Sequence, residues 1–158
     1  MRLKFVLAEK ENRGSDEIPS IATTATIKEV AEKLCELEIG AMLVHDPGSS
    51  PLKYVGVISE RDILRLCSSG HGFLDTPAAD VMTRQMVVAK TSDDVDYVTT
   101  IMRKKHIRHV PVVTETDDPI IVGFLSIRDI LSAEVDEQTV QIHHLSDFLG
   151  GTYGSDVY

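Results

Sequence analysis

Gly56-Val57-Ile58-Ser59-Glu60-Arg61-Asp62 recurs 67 positions later (56 to 123) as Gly123-Phe124-Leu125-Ser126-Ile127-Arg128-Asp129. In both stretches an apolar run ends at a serine, and an aspartate follows three residues further on. This spacing predicts a strand that leads directly into a helix, with the serine as N-cap and the aspartate at the third helical position. The glycine that opens each stretch leaves room for another group to approach the backbone closely.

The similarity extends upstream of both stretches. Thr26-Ile27-Lys28-Glu29-Val30 aligns with Asp94-Val95-Asp96-Tyr97-Val98, and Met42-Leu43-Val44 aligns with Val110-Pro111-Val112, both at an offset of 68 (26 to 94, 42 to 110). Several colinear matches at nearly one offset indicate an internal duplication rather than a chance likeness.

Each half has the pattern of a βαββα unit. A short extended segment, 18–22 or 86–89, precedes a helix whose apolar residues follow helical spacing. These are Ile27, Val30, Ala31, Leu34 and Leu37 in the first half, and Val95, Val98 and Met102 in the second. Apolar runs of strand length follow at 41–45 and 54–58, and again at 110–113 and 120–125.

One half alone is close to the lower size limit for an independent core. We therefore predict an α/β (α+β) fold in which two βαββα repeats pack face to face with pseudo-twofold symmetry.

The predicted organisation has five parts. They are an N-terminal helix and linker (1–17), the first repeat (18–68), a linker with a short helix (69–85), the second repeat (86–132), and a C-terminal helix with a frayed tail (133–158). We expect the apolar residues after 132 to pack the C-terminal helix against the body.

Composition limits the partners. The net charge of −9 argues against a nucleic-acid surface, which needs clustered Lys and Arg. No apolar run approaches the length of a membrane span, and no signal peptide is indicated. Cys35 and Cys67 lie in helical patterns and are interpreted as small, buried or half-buried apolar residues in a reduced, cytoplasmic protein.

No catalytic constellation is present in the sequence. There is no nucleophile elbow, P-loop or dinucleotide glycine motif, so we predict that the chain is not an enzyme and needs no cofactor for catalysis. His143, His144 and Asp147 do not make a metal site, because adjacent helical residues point about 100° apart and two ligands are too few.

The repeated serine–aspartate box has two interpretations. It is a common helix cap, and nothing more is needed to explain one copy. A carboxylate at a helix start also accepts hydrogen bonds from a ribose diol, and the free amides of the helix N-terminus favour phosphate.

The chain resembles a tandem pair of cystathionine-beta-synthase (CBS) domains over residues 18 to 132. The resemblance rests on the two Gly-x-x-Ser-x-x-Asp boxes, on residues 39–44 and 107–113, and on Val81-Met82-Thr83 before the second repeat. It implies a regulatory module that senses adenosine compounds such as AMP, ADP, ATP, S-adenosylmethionine or NAD in clefts between the repeats. It also implies a homodimer, with a regulated protein as a possible further partner.

The resemblance further implies two clefts. One joins Ser59, Arg61 and Asp62 to Arg108 and His109; the other joins Ser126, Arg128 and Asp129 to Gly40 and Ala41.

Arg108 and His109 suit a phosphate, the histidine as a donor that can become charged near neutral pH. We therefore expect the Asp62 cleft to be the better binder. AMP is the first choice of ligand, because one or two basic side chains suit a single phosphate. The alternative is a dimeric adaptor that binds a partner protein without a small molecule, in which the boxes are only caps.

Overall fold

The structure, a computed structural model, describes residues 1–12, 17–70 and 72–150, with side chains for all of these except 12 and 143–150. Helix α1 (Leu3–Asn12) comes first. The frayed tail predicted at the C-terminus falls on residues 151–158, outside the described part of the chain. The side chains of His143, His144 and Asp147 also lie outside it.

The first repeat is a three-stranded sheet with two helices. Its elements are β1 (Ser20–Ala22), α2 (Ile27–Glu36), β2 (Ala41–Asp46), β3 (Lys53–Ser59) and α3 (Glu60–Ser69). Strand β2 is central, parallel to β1 and antiparallel to β3. Helix α2 starts at a capping box between Thr26 and Glu29. It ends at Glu36, so Leu37, predicted to continue the apolar stripe, is the C-cap and is exposed.

The second repeat has the same topology after a short helix, α4 (Ala78–Val81). Its elements are β4 (Ala89–Lys90), α5 (Val95–Lys105), β5 (His109–Val113), β6 (Ile121–Ser126) and α6 (Ile127–Gly150). Strand β5 is central, parallel to β4 and antiparallel to β6. The predicted pair of βαββα repeats is confirmed.

Helix α6 continues without a break past residue 132. Residues 133–150 are therefore an extension of the last helix of the repeat and not a separate element. Ala133 is buried, but Val135, Val140 and Ile142 are exposed. The expectation that this segment packs on the body is wrong for these three side chains.

The two sheets meet at an apolar interface built from equivalent positions of both repeats. The pairs are Ile18 and Met86, Tyr54 and Ile121, and Val57 and Phe124. Each pair is related by the offset of 67 or 68 that relates the repeats in sequence. An interface formed by the same positions of both repeats is what a pseudo-twofold axis produces.

Each repeat is covered by the helix that precedes the other one. Ala78 of α4 and the following Met82 join the core of the first repeat, although α4 leads into the second. Leu3 and Val6 of α1 join the core of the second repeat, although α1 leads into the first. Each repeat therefore completes its core with a helix from outside its own βαββα unit.

Both cysteines are exposed, so the prediction that they are buried or half-buried is wrong. Each follows directly after an inward-facing leucine, Leu34 or Leu66. One residue along a helix rotates the side chain by about 100°, which turns the thiols away from the core.

Candidate functional site

Both serine–aspartate boxes form at the predicted helix starts. Asp62 Oδ2 accepts hydrogen bonds from the amide and hydroxyl of Ser59, at 2.8 and 2.7 Å. Asp129 Oδ2 accepts the same two bonds from Ser126, at 2.7 and 2.8 Å. The serine and the aspartate of each copy are therefore fixed relative to each other before any ligand is considered.

Each box lies beside the start of its own central strand. The amide of Glu60 donates to the carbonyl of Gly40 at 3.0 Å, and the amide of Ile127 donates to the carbonyl of Arg108 at 2.8 Å. Strand register continues this arrangement, since Ser126 lies opposite His109. Arg108 and His109 are consequently held next to the second box.

A cavity of about 700 Å³ lies between the repeats, with helix α1 on a third side. It is lined by seven of the ten residues predicted for ligand binding. These are Gly40, Ala41, Arg108, His109, Ser126, Arg128 and Asp129. Its volume is within the range of small-molecule sites.

The other three predicted residues, Ser59, Arg61 and Asp62, do not line this cavity. Arg61 donates to the carbonyl of His106 at 2.7 Å, and Asp62 lies 3.5 Å from Arg65 on its own helix. The residues expected around Asp129 line one cavity together, as predicted from the resemblance. Arg108 and His109, which were expected beside Asp62, line the same cavity. The expected grouping of the basic pair with Asp62 is not observed, because strand register ties the pair to Ser126.

Asp129 is half-buried and charged. Besides Ser126, Lys10 donates to its Oδ2 at 3.1 Å, and the same ammonium donates to the carbonyl of Phe124 at 2.7 Å. Burial raises the pKa of the Asp129 carboxyl, but the hydrogen bonds from Ser126 and the charge of Lys10 outweigh it, so the pKa is lowered. Among the residues that the structure describes, the hydrogen bonds to the Asp129 carboxylate go to Oδ2 and none goes to Oδ1.

His109 stays neutral at physiological pH. Burial, followed by the neighbouring Arg108 guanidinium, lowers its pKa to about 4. The expectation that it becomes charged near neutral pH is therefore wrong. Its ring stacks on Phe124, with centroids 5.6 Å apart and planes 17° from parallel. The chemistry that it offers is a flat apolar face and a neutral N–H donor.

Arg108 spans the two repeats through an ion pair with Glu60. Both side chains are about half exposed, and such a pair contributes little to stability. An anion that enters the cavity can therefore replace Glu60 as the partner of Arg108 at a small cost in free energy. Gly40 keeps this corner open, because a Cβ there would lie 3.3 Å from both His109 Cε1 and Glu60 Oε1.

Sequence reasoning missed five of the charged or aromatic lining residues, namely Glu9, Lys10, Glu38, Glu60 and Phe124. Glu60 and Phe124 lie inside the quoted boxes, so the signal for them was present. Nothing in the sequence near Glu9 or Lys10 connects them with Asp129, which is more than a hundred residues away.

Two other kinds of site are absent from residues 1–12, 17–70 and 72–150. Within these ranges no group of three or more His, Cys, Asp or Glu side chains is placed to hold a metal ion. None of the helices there is both long enough and apolar enough to cross a membrane.

The fold and the cavity define a paired βαββα module with a ligand-sized cleft between its repeats. The family model for the CBS domain matches residues 14–69 and 78–136, one match for each repeat. The chain belongs to the CBS domain family.

Known members of the family resemble the chain over most of its length. It is 28% identical over 134 residues to the mitochondrial CBS domain-containing protein CBSX3 of Arabidopsis thaliana, covering 83% of this chain and 63% of that protein. It is 34% identical to a CBS domain protein of Pyrobaculum aerophilum whose structure was solved in complex with AMP, with a TM-score of 0.65, covering 82% of this chain and 89% of that one.

A further structure is the CBS domain pair of protein MJ0100 in complex with 5'-methylthioadenosine and S-adenosyl-L-methionine. It is 26% identical, with a TM-score of 0.62, and the match covers 84% of this chain and 98% of that one. All the ligands named for these two structures contain adenosine.

Proposed function

We propose that this protein is a non-catalytic regulatory module that binds an adenosine nucleotide, AMP first and then ATP, ADP or NAD, in the cavity between its repeats. The single observation that carries the proposal is the charged carboxylate of Asp129, which Ser126 and Lys10 hold through Oδ2, while Oδ1 accepts no hydrogen bond from the described residues. A ribose diol supplies the donors that such an oxygen accepts.

The surroundings of Asp129 favour the rest of the nucleotide. Arg108 and Arg128 line the same cavity and suit one phosphate. The stacked rings of His109 and Phe124 give a flat wall that suits a purine. The adenosine compounds bound by the two related structures support the ligand class, and the complex with AMP supports AMP as the first choice.

The chain supplies its own matched control for the test. Asp62→Ala and Asp129→Ala each remove the aspartate of one capping box, so both lose a helix-capping contribution of about 1 kcal/mol. Calorimetric titration of AMP, ATP, NAD and S-adenosylmethionine into both variants separates capping from binding. We expect Asp129→Ala to weaken AMP binding at least tenfold, because it removes charge-assisted hydrogen bonds to ribose. We expect Asp62→Ala to change AMP binding less than threefold.

The reverse result would return the site to the Asp62 cleft that the sequence favoured. If no adenosine compound binds to the wild type, the boxes are helix caps and the ligand proposal fails.

A dimeric adaptor is the second candidate function, and exposed apolar side chains favour it. Leu64 on α3 and Leu131 and Val135 on α6 are 69%, 51% and 60% exposed. We propose that the protein is a homodimer in which such side chains are covered, and that a regulated protein partner responds to the shape of the dimer. Light scattering on wild type and Leu64→Asp tests this: we expect twice the 17.4 kDa mass of one chain for the wild type and a lower mass for the variant.

A further inference from the structure

The last turn of helix α1 forms part of the cavity, although α1 lies outside both repeats. Val6, Glu9 and Lys10 line the cavity together. Their spacing of three and four residues places them on one face of the helix. The buried Leu3 and Val6 hold this face against the second repeat.

Lys10 alters the charge balance of the cavity. Four carboxylates line it, from Glu9, Glu38, Glu60 and Asp129, against the three cations of Lys10, Arg108 and Arg128. Without Lys10, four negative charges would face two positive ones in a protein whose net charge is already −9. Because Lys10 and Asp129 are only 23% and 25% exposed, solvent screens this charge less than it screens a surface lysine.

Glu9 presents an unsatisfied acceptor. Its Oε2 atom is buried and has no hydrogen-bond partner among the described residues. A buried oxygen without a partner is costly, and a donor on a ligand would relieve that cost. The ribose hydroxyls are already assigned to Asp129, so the remaining donor of adenosine monophosphate is the exocyclic amine of adenine.

We propose that Glu9 and Lys10 are specificity-determining residues of the cavity. Lys10 selects a phosphorylated ligand over an uncharged or cationic one, and Glu9 selects a base that carries an amine. This inference rests on the proposed function, because it concerns the same cavity and the same ligand class.

The experiment compares AMP with adenosine and with inosine monophosphate by calorimetric titration. Lys10→Met and Glu9→Gln are the test variants. Lys4→Met and Glu11→Gln are the matched controls, since Lys4 and Glu11 are exposed residues of the same helix. Thermal unfolding of all four variants checks that they fold, and Lys10→Arg restores the charge.

For Lys10→Met we expect a loss of roughly tenfold in AMP affinity and a change of less than twofold for adenosine. For Glu9→Gln we expect the preference for AMP over inosine monophosphate to fall by at least threefold. Both nucleotides carry the same phosphate, so the change in charge cancels in that ratio. The controls should leave both ratios unchanged, and Lys10→Arg should keep the preference for AMP over adenosine.

Each half of the inference can fail separately. If Lys10→Met leaves the ratio of AMP to adenosine affinity unchanged, or strengthens AMP binding, Lys10 does not select the phosphate. An unchanged ratio of AMP to inosine monophosphate in Glu9→Gln overturns the role of Glu9. A wild type that binds adenosine as tightly as AMP overturns the Lys10 half without any variant. A wild type that binds none of these compounds instead refutes the proposed function itself.

Discussion

The two repeats carry the same box in the same geometry, but their aspartates have different surroundings. Asp62 is itself only 12% exposed, but its partner Arg65, on the same helix, is 72% exposed. Asp129 faces Lys10 of a distant helix, and both are mostly shielded from solvent. The difference comes from the two covering helices. Helix α4, over the first repeat, has four residues, whereas α1, over the second, has ten and carries the lysine that contacts Asp129. Two copies of one motif thus come to differ through a segment that belongs to neither.

The largest expected effect tests whether α1 holds the second repeat together. Leu3 is completely buried in that core, so Leu3→Ala should lower the free energy of unfolding by about 3 kcal/mol. Phe5 on the same helix is 53% exposed, and Phe5→Ala is the control with a much smaller expected loss. Urea denaturation followed by circular dichroism measures both. Equal losses would mean that α1 is not an integral part of the repeat.

The next prediction compares how tightly the two covering segments pack against the sheets, the segment after α4 on the first repeat and α1 on the second. A Cβ at Gly56 would lie 2.6 Å from Met82 Sδ and 3.0 Å from the carbonyl of Thr83, whose backbone is hydrogen-bonded to Val57 and cannot move away easily. A Cβ at Gly123 would instead meet the end of the flexible Leu7 side chain. We expect Gly56→Ala to cost about 2 kcal/mol and Gly123→Ala about half of that.

Thermal and urea unfolding of the two glycine variants give the ranking. A larger cost at Gly123 would show that α1, and not the segment after α4, is the more rigid cover.

The smallest expected effect is a loss of stability in acid. It arises at His109 and not at Ala41, the equivalent position of the first repeat, because only the histidine can bind a proton. The pKa of His109 is about 4 in the folded state, below the ordinary value of 6.5. The unfolded chain therefore binds more protons between these values, and stability falls as the pH drops from 6.5 to 4. His109→Phe keeps an aromatic ring beside Phe124 and should remove about 1 to 2 kcal/mol of this pH dependence, allowing for partial solvent screening.

Denaturation at pH 7, 5.5 and 4.5 tests the histidine prediction. The wild type should lose stability across this series, and His109→Phe should lose less. Parallel curves would mean that the imidazole titrates at its ordinary pKa.

The sequence predicted those features that depend on neighbouring residues. The two boxes, the buried stripe of Val95, Val98 and Met102, and the order of strands all follow local periodicity, and the structure has them. The exposure of Leu37 was missed only because the helix ends one residue earlier.

Features created by distant packing were not predictable in this way. Lys10 meets Asp129 because α1 crosses to the second repeat, and no pattern near either residue indicates that path. The structure places Arg108 and His109 beside the second box, and not beside Asp62, for a related reason, since strand register decides which box lies beside them. The lowered pKa of His109 follows from burial that only the assembled repeats provide.

The exchange of covering helices sets an order of events for a chain that leaves the ribosome N-terminus first. The first repeat can close its core once Met82 has emerged, with its helices and sheet already available. Leu3 and Val6 emerge before the first repeat, but their apolar partners, such as Val95 and Leu125, are made only with the second repeat. The amide of Leu3 then bonds to the carbonyl of Asp93 at 3.0 Å, closing a loop of some ninety residues (3 to 93) that contains the whole first repeat. Helix α1 is thus made before the first repeat but can pack in its final position only after that repeat is complete.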